Sequence, residues 1–384
     1  MRVYTNTYGI KTIFQLLHNY KITTKTRWIY DKKAVYNQIT NWNKAIPWIK
    51  PYYAIKSNPS ENLLNDIVKH PYNVGLDAAS ISEIDLALKY TDTKNIIYTN
   101  PHTINHELNE FTTKSLNIKV IDNICELQKL VNNNIKCKIL IRINSGNNLG
   151  DTKFDTKFGA SINETKEILD FSKQNKIVIS GISFHIGSGG KYNRETAYYN
   201  SYIRSLVYLE YIKKYMNISK PILNIGGGLL YNTNLKQVLG WTEKLPFEII
   251  AEPGRYISEP SHHLFSQVIA ITSRGIYMDN GIYHELNCYQ RDHWNIPELT
   301  NYIDITDNTI DVNNNTINIV YKNKLVNVFG PTCDSGDTIN ECKMPKDISV
   351  GDWIFLPNMG AYTNAGMIEF NGIKGASSFC VVNK

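Results

Sequence analysis

The sequence predicts an α/β fold: a (β/α)8 barrel joined to a second, mostly antiparallel β domain. Three observations predict it. Short apolar runs alternate with amphipathic stretches through the first two thirds of the chain. Eight of these runs end on, or run directly into, a charged, amide or glycine residue. Beyond residue 263 the texture becomes β-rich throughout.

Taken in order, the runs are PYYAI (51–55), YNVGL (72–76), NIIYT (95–99), IKVI (118–121), KILIRI (138–143), GISFHI (181–186), PILNI (221–225) and FEIIA (247–251). Between them, stretches such as SEIDLAL from Ser82, ELQKLV from Glu126 and ETKEILDF from Glu164 space their apolar residues as helices do. Parallel strands are buried on both faces, so near-continuous apolar runs separated by helices imply βα units. Eight units fit a closed barrel over residues 32–262; a doubly wound open sheet is the competing arrangement. From 263 to 384, SQVIAIT, NTINIVYKNKLVNVFG, DWIFL and SSFCVV are separated by Asn, Gly and Asp turns, and DVNNNTI (311–317) resembles a hairpin turn. Residues 1–31, which include WIYD, are expected to pack on this second domain.

The 384 residues are 42% hydrophobic and 20% charged, with a mean hydropathy of −0.31, as in a folded chain longer than one core sustains. No stretch approaches the ~18 consecutive apolar residues of a membrane span. The N-terminus has no apolar block ending in a cleavage site, so a cytoplasmic protein is expected. Net charge is +6, from 41 basic and 35 acidic residues that are interspersed, so neither nucleic acid nor membrane is an expected partner. The six cysteines form no CxxC pair and no ligand-spaced set with His; no metal is expected, and the compartment is reducing.

The strand ends carry the chemistry. Lys56, Asp77, Asn100, Asp122, Arg142, His185, Gly226 and Glu252 stand at the eight C-terminal ends, which converge on one mouth in a barrel. Asn100 and Asp122 are equally read as polar loop starts, and Lys56 alone as a solvated strand terminus. A lysine in a barrel mouth can also form a Schiff base with an aldehyde cofactor. SFHIGSGG (183–190) and NIGGG (224–228) are either tight turns or loops whose backbone amides approach a phosphate. In EPGRY (252–256), Glu252 and Arg255 form a local salt bridge or serve a protonated ring nitrogen and a phosphate. Aldehyde-reactive lysine, phosphate cradle and ring-nitrogen acid together specify pyridoxal 5'-phosphate.

The motifs PYYAIKSN, LDAASISEI, KFGA, SFHIGSGG, IGGG, EPGRY, FGPTCDSGD and NMGAYT resemble, in order and spacing, those of eukaryotic-type ornithine decarboxylase, in the alanine-racemase-like class of pyridoxal phosphate enzymes. The resemblance implies that Lys56 carries the cofactor, His185 stacks on its ring and Glu252 pairs with the ring nitrogen. It assigns phosphate binding to Ser188, Gly227, Gly228, Arg255 and Tyr362, and the orientation of Lys56 to Asp77 and Arg142. It further implies a homodimer with shared sites, in which Cys333 protonates the substrate carbon. Asp334 and Asp292 bind the distal amine, Tyr283 and Phe370 complete the substrate site, and Lys157 pairs with Asp337 across the interface. A thiol with a pKa near ~8.5 can donate a proton around neutral pH. Paired carboxylates penalise a substrate lacking a second cation.

The resemblance implies decarboxylation of L-ornithine to putrescine and CO2 in polyamine synthesis. Lysine or arginine decarboxylation is the alternative, followed by an inactive antizyme-inhibitor-like binding homologue and an amino-acid racemase. The chain departs from the family pattern at Arg291, where Tyr is usual, at Asn224 in place of Asp, and at Ser335–Gly336 in place of Gly-Leu. The 104–128 region is not notably basic, so an antizyme-like acidic regulator is not expected.

Overall fold

A computed structural model describes residues 2–19, 27–146, 154–190, 192–292, 294–306, 309–310, 319–376 and 379–382. The chain divides into two compact units, Tyr36–Ile257 and the combination of Met1–Val35 with Ser258–Lys384.

The first unit contains a closed barrel of eight parallel strands: β1 (Ile49–Ala54), β2 (Gly75–Ala78), β3 (Ile96–Tyr98), β4 (Ile118–Ile121), β5 (Lys138–Arg142), β6 (Ile179–Ser183), β7 (Ile222–Asn224) and β8 (Glu248–Ala251). Each strand pairs with the next in chain order, and β8 closes on β1. The open sheet is therefore excluded. Tyr52, Ile97, Ile118, Val120, Leu140, Ile222 and Ile250 fill the barrel core as one buried cluster. Alternate residues, such as Tyr53, Tyr98 and Lys119, are also buried, which is why the runs read as apolar without a period of two.

Most strand ends differ from the expected runs by a residue or two, and at two strands the shift moves a site residue. The second begins at Gly75 rather than Tyr72, because Tyr72 turns back so that its N–H meets His70 Nδ1 at 3.3 Å. Asp77 consequently lies inside the strand rather than after it. The sixth ends at Ser183, so His185 stands clear of the strand in the following loop. That loop begins with the Phe184 N–H bonded to the Asn224 carbonyl at 3.0 Å.

Among the described residues of the second unit, ten strands form one mixed sheet, in which six strand pairings are antiparallel and three parallel. Both N-terminal strands belong to it: Arg2–Thr5 lies between Asn301–Thr306 and Trp353–Leu356, and Trp28–Asp31 pairs with His262–Ile271 and Phe379–Val382. A buried core of Leu264, Val268, Ile276, Val328, Ile339 and Leu356 backs the sheet. The DVNNNTI turn falls outside the described residues.

Candidate active site

Parallel strands place all eight C-terminal ends at one mouth, and the reactive side chains meet there. Lys56 follows β1 in the short helical turn Ile55–Ser57. Its charge acts on Asp77, Glu83 and His185. Asp77 is 2% exposed and accepts a 2.5 Å hydrogen bond from Thr99 Oγ1 at the end of β3. Burial, reinforced by the charge of Glu252, pushes its carboxyl well above the ordinary range, against the pull of Lys56. Glu83 N–H caps onto Ser80 at 3.2 Å, and its carboxylate reaches back to the Ala79 N–H at 2.6 Å. Burial raises Glu83 as well.

Arg142 ends β5 and lies 4.9 Å over the Phe158 ring. Burial lowers its pKa, while Glu252, Asp122, Asp155 and Asp77 act in the opposite sense. The KFGA segment is pinned beside it. The Ala160 N–H bonds the Arg142 carbonyl at 2.8 Å, and the Gly159 N–H meets Asp122 Oδ2 at 3.1 Å. Asp122 also pairs with His102 at 3.0 Å.

His185 is neutral. Burial, then the charges of Arg142 and Lys56, hold its pKa well below the usual value. The Gly187 N–H meets its Nδ1 at 3.1 Å, so Nδ1 is the acceptor and Nε2 carries the proton. Ser188 is 7% exposed, in a turn where Gly187 and Gly189 have φ of 101° and 70°.

The second glycine turn follows β7. Gly226 and Gly228 have φ of 65° and 106°, and a Cβ on Gly226 would lie 2.3 Å from the Phe184 carbonyl. A Cβ on Gly227 would stand 2.7 Å from the Glu252 carbonyl and 3.1 Å from His185 Nε2. Only bare backbone fits there. The Tyr198 hydroxyl bonds the Gly227 carbonyl at 2.7 Å, while Arg194 bonds the carbonyls of Gly189, Gly190 and Gly228. Glu252, just beyond β8, is 7% exposed and accepts from Asn224 Nδ2 at 2.7 Å through Oε1. Only Oε1 takes part in that bond. Arg255 opens the helical turn that follows.

These residues fit pyridoxal phosphate. A lysine charge acts on buried acids, a mostly buried carboxylate stands at the same mouth, and two glycine turns border it.

The second unit assembles its own cluster. Tyr283 and Phe370 stack with centroids 4.3 Å apart and planes 12° apart. The Tyr283 hydroxyl donates to Asp334, lowering the Asp334 carboxyl, and the Cys333 N–H bonds Asn371 Oδ1 at 2.9 Å. Cys333 itself is exposed. Asp292 ends the short helix Cys288–Asp292, and the side chain of its neighbour Arg291 lies outside the described residues. Tyr362 holds a φ of 58°, which a bulky residue seldom adopts. Asp337, expected to face a partner subunit, is 2% exposed and already accepts from Ile282 N and from Thr332 N and Oγ1 in its own unit.

Sequence reasoning missed Glu83, Thr99, Arg194 and Tyr198. The pattern Ser80-x-x-Glu83 was a readable capping signal; the others carry none.

A parallel barrel with a lysine and an acid at one mouth defines a pyridoxal phosphate enzyme of the barrel class. Residues 32–259 match the family described as pyridoxal-dependent decarboxylase, pyridoxal binding domain, and the chain belongs to that family. It is a decarboxylase, and pyridoxal phosphate is its cofactor. The chain is 30% identical to an ornithine decarboxylase of Candida albicans over 91% of its length and 81% of the relative's. It is also 30% identical to that of Saccharomyces cerevisiae, over 92% and 80%. Among solved structures, the arginine decarboxylase of Paramecium bursaria Chlorella virus bound to agmatine superposes with a TM-score of 0.80 at 26% identity, covering 97% of this chain and 100% of that one.

Proposed function

We propose that the chain decarboxylates L-ornithine to putrescine and CO2 for polyamine synthesis, as a cytoplasmic homodimer with shared active sites. The observation that carries the reading is Lys56 acting on the buried acids Asp77 and Glu83 at the barrel mouth, where Glu252 also acts on Asp77. When bound, pyridoxal phosphate supplies an electron sink for the bonding pair that the departing carboxylate leaves behind.

The chain's own residues do the rest. Lys56 would hold the cofactor's aldehyde end, and Asp77 with Arg142 would orient that lysine. The Glu252 carboxylate would pair with the ring nitrogen. His185, uncharged, would lie against the ring without competing for its positive charge. Ser188, the amides of Gly227 and Gly228, Arg255 and Tyr362 would hold the phosphate. Asp334 and Asp292 bind the distal ammonium beside Tyr283 and Phe370, and Cys333 Sγ delivers a proton to the substrate carbon.

Reducing the loaded protein with borohydride is expected to fix the cofactor on the peptide containing Lys56, and Lys56→Ala to abolish CO2 release from ornithine. A label on another lysine, or turnover surviving the substitution, would remove Lys56 from this role. Arginine and lysine are the second reading, favoured by the likeness to the viral arginine decarboxylase and by Arg291 beside Asp292.

A further inference from the structure

We propose that Glu285 is a positioning residue that fixes the segment carrying Phe370, and through it the substrate end of the site. The inference rests on the substrate role proposed above for Tyr283 and Phe370, and it adds the group that holds their stack together.

Four residues of one short run hold this segment from its beginning to its end. Asn287 Nδ2 donates to the Thr363 carbonyl at 2.7 Å, and the Tyr283 carbonyl accepts from the Ile368 N–H at 2.9 Å. His284 Nε2 donates to the Ile373 carbonyl at 3.1 Å, and Glu285 Oε1 accepts from the Ala376 N–H at 2.8 Å. His284, Glu285 and Asn287 are buried, whereas residues 367–369, 371 and 372 of the held segment are exposed. With so little apolar burial of its own, the segment takes its shape from these bonds.

Glu285 is the anchor with the closest fit. An acidic side chain is costly to bury, and this one is bonded on both oxygens. Its Oε2 accepts from Asn280 Nδ2, and Asn280 Oδ1 accepts in turn from the Leu286 N–H at 3.1 Å. That amide is therefore oriented by the backbone next to Glu285, and it turns Oε1 toward Ala376. Gly375 lets the chain pass this closely, since a Cβ there would lie 2.9 Å from Oε1 and 3.0 Å from Oε2. Phe370 stands between the Ile368 and Ile373 anchors, and its ring stacks on Tyr283, the residue two before Glu285. One run of chain thus supplies both a ring of the substrate site and the bonds that bring the second ring to it.

The test compares parental, Glu285→Ala, Phe370→Ala and doubly substituted proteins. Each is measured for cofactor affinity, and for kcat and KM with ornithine, or with lysine or arginine if the parent turns over one of these instead. Glu285→Ala is expected to raise KM about tenfold, with cofactor affinity changed less than about threefold. In the Phe370→Ala background that increase should largely vanish, because both substitutions act through one ring; a merely structural loss would add. Ala376→Pro removes the N–H that Glu285 accepts, and it serves the same comparison if Glu285→Ala does not fold. A folded variant with parental KM, an equal loss of cofactor affinity, or an increase undiminished beside Phe370→Ala would overturn the positioning role alone. Phe370→Ala with parental KM would overturn the substrate role of Phe370 along with it.

Discussion

Arg194 Nε donates to the Gly228 carbonyl at 2.8 Å, while its Nη2 reaches the carbonyls of Gly189 and Gly190 at 3.1 Å each. One guanidinium, lying 4.5 Å over the Tyr192 ring, thus ties together glycine turns that follow two different barrel strands. Turning these carbonyls toward the helix that begins at Arg194 frees the amides of the turns for an anion. Hydrogen bonds to a charged group contribute about 1.5–3 kcal/mol. Arg194→Met should therefore weaken pyridoxal phosphate binding at least tenfold in a fluorescence titration of the apo-protein, with the fold intact. Unchanged affinity would remove Arg194 from the cradle.

The Lys119–Glu126 pair is the second structural commitment. Their side chains are 0% and 1% exposed at 3.2 Å, and Lys119 Nζ also bonds the Asn100 carbonyl at 2.5 Å and faces the Tyr98 ring. Burial pushes the lysine down to about 8 despite the carboxylate beside it. Removing one partner strands a buried charge. Glu126→Ala should lose about 3–5 kcal/mol in chemical denaturation, and Lys119→Met with Glu126→Leu far less. Equal losses would contradict the pairing.

His262 and His263 open a long strand of the second unit at 0% and 2% exposure. Burial pushes them down to about 3 and about 4. An unfolded histidine titrates near ~6.5, so below that pH the unfolded chain binds protons that the folded chain refuses. Stability should fall by about 1.4 kcal/mol per histidine per pH unit from about pH 6.5 toward 4, and neither residue should affect it above. His263→Phe should roughly halve this share of the slope in urea titrations at stepped pH. A slope unaltered by the substitution would count against the buried neutral state.

Cys333 is exposed, and the proposed shared site gives it the role of proton donor in the partner's active site. Cys333→Ala should slow putrescine release or divert the proton to another carbon. Mixing it with Lys56→Ala protein should restore part of the activity through hybrid dimers. No rescue despite demonstrated subunit exchange would argue against shared sites.

The barrel was legible because the strands are short, largely apolar runs separated by helical patterns, as ILI of KILIR leads to Arg142. Boundaries were less so. Nothing local says that Tyr72 turns back to His70, or that the sixth strand stops two residues short of His185. The site's principal groups were readable through their motifs, while their supports were not. Asn224 and Glu252 stand 28 residues apart, and Arg194 and Gly228 stand 34 apart, so only the folded barrel brings them together. Asp337 adds local bonds that its motif does not announce, its carboxylate accepting from Ile282 and Thr332 of its own unit.

The most direct test of the account is product analysis by mass spectrometry. The purified protein, supplied with pyridoxal phosphate, is given equimolar ornithine, lysine, arginine and diaminopimelate. Putrescine as the dominant amine is the predicted result. Cadaverine or agmatine in its place would contradict the ornithine assignment and turn attention to Arg291, and no amine at all would contradict the catalytic roles proposed for Lys56 and Glu252.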